Sequence, residues 1–378
     1  MTALAEHTLL WVFAGATAVQ LFYWAYFFSR LAFHKTEKIS PCATEEGSES
    51  NCPPVSVIIC ARNEAANLRR TLNRILNQTY RSYEVLVVDH KSCDKTLDVL
   101  SSLQREFKHL RVVKCDDERT GKKFALAIGI EQAKNQVLLL TDADCVPASP
   151  DWIRGMVSGM DENTQIVLGV APYDGAPGPL NKFVRFEACY TAMQYLSFAL
   201  AGFPYMGVGR NLAYKRELFE RSGGFRKHGH LASGDDDLFI NEVAVGGQVG
   251  IRLNPETFVY SPPKVTLYDY FRQKTRHFST GKLYKFKHKF LLSLLTMSHL
   301  LHYLTGGALL ILKISIMFAL LGYAVRMGVV MAVGSAVLAK LQHRSLRLWL
   351  PALDAVLVIF YLVFAPAVLM NKDTQRWN

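Results

Sequence analysis

Apolar residues follow three different patterns along this chain. The first is an unbroken run near the start, "HTLLWVFAGATAVQLFYWAYFFSR", with about twenty uncharged residues, enough to cross a bilayer as a helix. The last third repeats that pattern in "FLLSLLTMSHLLHYLTGGALLIL", in "ISIMFALLGYAV" continuing towards Leu338, and in "WLPALDAVLVIFYLVFAPAVLM". Between these blocks the apolar runs shorten to strand length and alternate with segments of helical spacing. "VSVIIC", "YEVLVVD", "LRVVKC" and "QVLLLTDAD" predict strands. "NEAANLRRTLNRILNQ", "DKTLDVLSSLQREF" and "GKKFALAIGIEQAK" predict helices, the first with Leu68, Leu72, Ile75 and Leu76 on one face and Asn63 as its N-cap.

Strands alternating with helices imply an α/β fold with a mostly parallel sheet and right-handed crossovers. The expected organisation is an anchor over residues 1–30, a polar linker over 31–53, an α/β domain over 54–265, a basic interfacial helix over 266–289, and about three spans over 290–371. The opening run is read as a retained anchor. Its basic residues Arg30, His34, Lys35 and Lys38 follow the apolar stretch, whereas those of a signal peptide precede it. With the basic "KLQHRSLR" between the last two spans, they predict a cytoplasmic domain, and size and topology suggest a bacterial inner membrane.

The net charge of +11 raises nucleic acid as a partner, but much of the excess lies in "FRQKTRHFSTGKLYKFKHKF", beside the second membrane block. Anionic lipid headgroups account for it better, and Lys274, Lys282 and Lys285 are read as charges on the membrane surface. Seven scattered cysteines without a CxxC pair argue against a disulfide framework or a zinc site. GxxxxGK[ST] and GxGxxG loops are also missing, so no known phosphate-cradling fingerprint applies.

The chemistry sits where apolar runs end in acid. Asp89, Asp142 and Asp144 stand at the carboxyl ends of predicted strands, where open α/β sheets bind ligands. Two carboxylates as close as those of "DAD" repel unless a cation joins them, and Mg2+ or Mn2+ accepts such a pair together with phosphate oxygens. Asp144 is then the metal ligand, and Asp142 contacts a ribose or the metal's water. The other reading is a cap on the helix around "SPDWIRGM". "SGDDDLF" is either an N-cap with solvated charges or the source of a general base. Lys122, at a helix start, and Arg276 in "QKTRH" suit anionic phosphate oxygens.

In their order, "VSVIICARNEAANL", "EVLVVDHKSCDKT", "GKKFALAIGI", "TDADCVP", "GGF" before "SGDDDLF", and "QKTRH" resemble the inverting family 2 glycosyltransferases of GT-A fold. The resemblance is to the membrane-embedded branch of cellulose, hyaluronan and poly-N-acetylglucosamine synthases and ceramide glucosyltransferase, and covers roughly residues 53 to 285. It implies a GT-A domain flanked by membrane helices, a nucleotide-sugar donor, UDP-linked in the usual case, and a lipid, lipid-linked or polysaccharide acceptor. Ala61, Arg62, Asn63, Glu64 and Asp89 match positions that hold the base, and Lys122 a lysine on the nucleotide side. Asp142 and Asp144 match the DxD pair. Asp235 is the general base, with Asp236 as rival, and Gln273 and Arg276 close over diphosphate and acceptor. Gly234 stands where glutamate is usual and His90 where Asp or Asn is common, and His277 replaces the usual tryptophan, which together with only about three C-terminal spans favours transfer of one sugar over processive synthesis. The rival classes are a silent scaffold and a transporter built on Lys313, Arg326 and Asp354.

Overall fold

The computed structural model describes residues 2–36, 39, 52–115, 121–231 and 233–370; residues 40–51, most of the expected linker, lie outside them. Strands β1 (Val55–Ala61) and β2 (Tyr83–Asp89) are almost wholly buried. They frame α3 (Ala65–Leu76), which buries Leu68, Leu72, Ile75 and Leu76 on the predicted face. Then follow α4 (Thr96–Glu106), β3 (Leu110–Lys114), α5 (Lys122–Gln132) and β4 (Val137–Asp142). The chain continues through β5 (Val146–Pro147), α6 (Trp152–Val157), β6 (Ile166–Leu168), α7 (Pro179–Leu200), β7 (Leu212–Lys215) and α8 (Arg216–Ser222). It ends the domain with α9 (Asp237–Val243), β8 (Val249–Ile251), β9 (Val259–Tyr260) and α10 (Leu267–Ser279).

The main sheet runs β3-β2-β1-β4-β7-β6-β8, and β5 pairs with β9 in a small second sheet. Strands β1 to β4 are mutually parallel, whereas β7 is antiparallel to both β4 and β6. The chain leaves β1 towards β2 on one side and reaches β4 on the other. The carboxyl ends of β1 and β4 therefore flank a topological switch point, where a crevice opens.

Two local expectations need correction. Asn63 does not cap α3. It takes a left-handed φ of 56°, and its Oδ1 accepts from the Cys93 amide at 2.9 Å, while Glu64 occupies the cap position. Cys52 is disulfide-bonded, against the expectation of no disulfide framework, although Cys60, Cys93, Cys145 and Cys189 are free.

Among the described residues, four helices are long and apolar enough to cross a membrane: Ala3–Phe33, Phe286–Ile311, Ile316–Lys340 and Arg344–Phe364. The first comprises α1 (Ala3–Phe22), a π-helical turn over Tyr23–Phe28, and α2 (Ser29–Phe33). The others contain α11 (Phe286–Ile311), α12 (Ile316–Lys340) and α13 (Leu350–Met370). Phe13 fits between Gly306 and Gly322, where an added Cβ comes within 2.7 and 2.5 Å of its ring. Phe27 stacks on Phe198 of α7 at 4.5 Å between centroids, joining the first span to the α/β domain.

The bundle is locked by a buried ion pair. Arg326 donates to Asp354 at 2.6 and 3.2 Å and to Gln20 at 3.0 Å, while the Tyr303 hydroxyl donates to Asp354 at 2.7 Å. All four spans contribute, and two of the three residues a transporter would use, Arg326 and Asp354, are engaged with each other, while Lys313 is exposed. Asp354→Leu leaves Arg326 unpaired, with an expected loss of about 3–5 kcal/mol. Size-exclusion profiles and melting of the detergent-purified protein are expected to show that loss, and the double change Arg326→Met with Asp354→Leu is expected to recover most of it.

Candidate active site

β4 carries its apolar run, "VLLL", into the sheet interior and ends at Asp142, so the next turn projects Asp144 outward. Opposite, Gly234 at a φ of 101° turns the chain into the three aspartates that open α9. An added Cβ at Gly234 meets Leu238 at 2.5 Å, so this position requires glycine on two grounds. A cavity of about 510 Å³ lies between these acidic segments, lined among others by Glu64, Lys122, Asp142, Asp144, Asp235, Asp236, Gln273 and Arg276. Ala61, Arg62, Asn63 and Asp89 sit at the same sheet edge without lining it. Asp89 is buried, and its Oδ1 has no hydrogen-bond partner.

Lys122 begins α5 and stands between the two acidic segments, 2.8 Å from Asp142 Oδ1 and 3.1 Å from Asp235 Oδ2. Burial works against its charge, but Asp142, Asp235 and Asp236 more than offset that and hold its pKa well above the lysine range. Asp235 shows the converse: burial raises its pKa, and the adjacent ammonium outweighs it, so the net direction is down. Among the described residues Asp236 makes no salt bridge, and the pull of Lys122 on it is outweighed. Burial first, then the charges of Asp235 and Asp237, push it up to about 7. Its Oδ2 accepts from the Gly209 amide at 2.7 Å and its Oδ1 from the Asp237 amide at 2.7 Å, so it caps α9 as well as lining the cavity.

Asp142, Asp144 and Cys145 each place a ligand atom within 4.8 Å of the others. Among the described residues no salt bridge reaches Asp144, whose pKa is raised by burial and by Asp142. Burial and both carboxylates push the Cys145 thiol well above its ordinary range. Two carboxylates supply the hard oxygen ligands that a cation of the Mg2+ or Mn2+ kind takes. The capping reading of "DAD" does not hold, because Asp151 occupies the N-cap of α6.

Several residues here escaped the sequence reading. Arg210 stacks its guanidinium on Tyr173 at 4.4 Å and donates to Ser261, pointing a cation into the cavity near Asp144. Its only signal was a basic residue in the glycine-containing "MGVGRN". Lys274 is not a membrane-surface charge: it is buried in an ion pair with Glu187, which also accepts from the Tyr270 hydroxyl at 3.1 Å. Lys282 and Lys285 are exposed. Gln273 donates to the Tyr173 hydroxyl at 3.4 Å, and its Oε1 is buried without a partner.

An acid-lined crevice thus lies at the switch point of the sheet, beside helices long and apolar enough to cross a membrane. Residues 56–223 match the family described as Glycosyl transferase family 2. The match covers less than half of the chain, and that segment of the α/β domain is what resembles the family. The chain is 29% identical over 236 residues to the probable glycosyltransferase YdaM of Bacillus subtilis, covering 59% of this chain and 54% of that one. It is 28% identical over 152 residues to the beta-monoglucosyldiacylglycerol synthase of Trichormus variabilis, covering 38% and 32% respectively. The chain thus spans about a third to a half of the length of these curated relatives. Among solved structures, the mannosyltransferase PcManGT of Pyrobaculum calidifontis, in complex with GDP-Man and Mn2+, shares the fold at a TM-score of 0.57. It is 21% identical, with 93% of this chain and 99% of that one covered.

Lys122→Met tests the electrostatic arrangement. It deprives Asp142 and Asp235 of their shared cation, so the carboxylate pKa held down in the wild-type fold rises. Stability present above the carboxylate range in the wild-type protein is then lost in the variant. Thermal melts are expected to place the variant on the order of 5 °C below wild type at pH 8, with the gap closing as pH falls towards 4 and the carboxylates protonate.

Proposed function

We propose that the protein transfers a single sugar from a nucleotide-sugar donor, UDP-linked in the first instance, to a hydroxyl of a lipid or lipid-linked acceptor, with inversion at the anomeric carbon. The observation that carries this reading is the extent of the cavity. It runs from Asp142, Asp144 and Asp235 past Arg276 and Phe278 to Leu341 and His343, which lie in the connection between two membrane spans. An amphiphile can keep its tail in the bilayer while its head enters such a cleft. The glucosyldiacylglycerol synthase relative, by its name, makes a glycolipid, and this supports the same acceptor class.

Asp144, with Asp142, would hold Mg2+ or Mn2+, which when bound neutralises the diphosphate and stabilises charge growing on it. Lys122, Arg210 and Arg276 add fixed cations around the same oxygens. Asp235 takes the proton of the acceptor hydroxyl. The hydroxyl oxygen forms its bond to the anomeric carbon on one face as the bond to the diphosphate breaks on the other, and the nucleoside diphosphate leaves with the electron pair. Asp236 is the second candidate base, because a carboxyl at about 7 is poised to exchange a proton near neutrality. The basic residues flanking the first span and those between the last two support a cytoplasmic catalytic domain, in a bacterial inner membrane.

Melting of the purified protein with nucleotide sugars and nucleoside diphosphates, with and without Mn2+, tests the donor site. One nucleotide is expected to raise Tm only with the metal, and Asp144→Asn is expected to abolish that rise. Asp235→Asn should keep the rise and lose about 100-fold or more in turnover. Full turnover in Asp235→Asn alongside loss in Asp236→Asn would reassign the base.

A further inference from the structure

The third aspartate of the acidic run has no part in the chemistry described above, yet it is the best connected. Asp237 is buried, and its Oδ2 accepts from the Tyr284 hydroxyl at 2.7 Å and from the Thr280 hydroxyl. Its Oδ1 accepts from the Leu238 amide at 2.8 Å. Thr280 and Tyr284 are both buried, and they bracket the short connection between α10, which carries Gln273 and Arg276, and the membrane span α11. One helical turn further along α9, Asn241 repeats the attachment, with its Oδ1 accepting from the Lys285 amide at 2.9 Å. Its Nδ2 donates to the Tyr205 carbonyl at 2.9 Å. The α10–α11 connection is therefore fastened to the helix whose first turn follows Asp235 and Asp236 directly.

We propose that Asp237 is a positioning residue: through Thr280 and Tyr284 it holds the acidic loop in register with the membrane-anchored α10–α11 connection. Asp235 and Arg276 are thereby kept on opposite sides of one reacting centre. This rests on the glycosyltransferase mechanism proposed above. The geometry requires the link to be carried by side chains, because Asp237 and Thr280 are far apart in sequence and belong to different helices. Two hydroxyl donors converging on one carboxylate oxygen fix both the distance and the angle between these helices, as a single bond does not. A misplacement of about 1 Å between catalytic groups is enough to cost on the order of 100-fold in rate.

Tyr284→Phe and Thr280→Val each remove one hydroxyl while nearly conserving volume. In the full-length detergent-purified protein, each is expected to lower kcat for sugar transfer about 5- to 10-fold and the pair about 50-fold. The KM for donor and the metal-dependent rise in Tm with nucleotide are expected to stay at wild-type values. Thr280→Ser, which keeps the hydroxyl, is expected to retain wild-type kcat. Wild-type kcat in the double variant overturns the proposal. So does a parallel loss of the nucleotide-induced rise, which would mark a general structural role. Donor binding without turnover in the wild-type protein would instead overturn the mechanism on which the proposal rests, and the proposal with it.

Discussion

Crowded negative charge is the constraint that organises this molecule. Glu64, Asp142, Asp144, Asp235, Asp236 and Asp237 all line one cavity, and two like charges about 5 Å apart at an effective dielectric constant near 20 repel by about 3 kcal/mol. Lys122 sits between two of them, and its position at the start of α5 makes that helix part of the site. The remaining carboxylates find different solutions. Asp237 is hydrogen-bonded on both oxygens, Asp236 retains its proton to near neutrality, and Asp144 is left without an ion pair among the described residues. A divalent cation beside Asp144 would relieve the part of the repulsion that the protein leaves uncompensated.

The features legible in the sequence are those in which a local pattern and its chemistry coincide. "VLLLTDAD" reads as a buried strand delivering acid to a sheet edge because eight consecutive positions state both facts. Lys122 was legible for the same reason, as a cation at a helix start. Pairings between distant segments were not. Lys274 looked like one more headgroup contact among basic neighbours, and only the arrangement of α7 against α10 gives it Glu187 as a partner. Arg210 takes its role from Tyr173, and Asn63 lost its capping role to Cys93 and Ser92 on the neighbouring loop. Three consecutive aspartates have one composition but three environments, set by how α9 begins.

The apolar interior and the site are continuous with the membrane part. Phe27 and Phe198 stack where the first span meets α7, and α7 contributes Glu187, Ala188 and Ala192 to the cavity wall. The α/β domain is thus seated on the bundle through the same helix that shapes the cleft. A change in the angle between domain and spans would be felt at the cavity wall as well as at the bilayer.

The Arg326–Asp354 pair also bears on how the chain is made. An unpaired arginine or aspartate within a membrane helix is disfavoured by about 2.5–3.5 kcal/mol during insertion, so each charge subtracts from the preference of its otherwise apolar helix for lipid. As a hairpin they bring the two charges together, and Gln20 from the first span waits to complete the set. Biogenesis therefore favours retention of α12 beside the translocation channel until α13 emerges. That order couples the emergence of α13 to the passage of both helices into the bilayer.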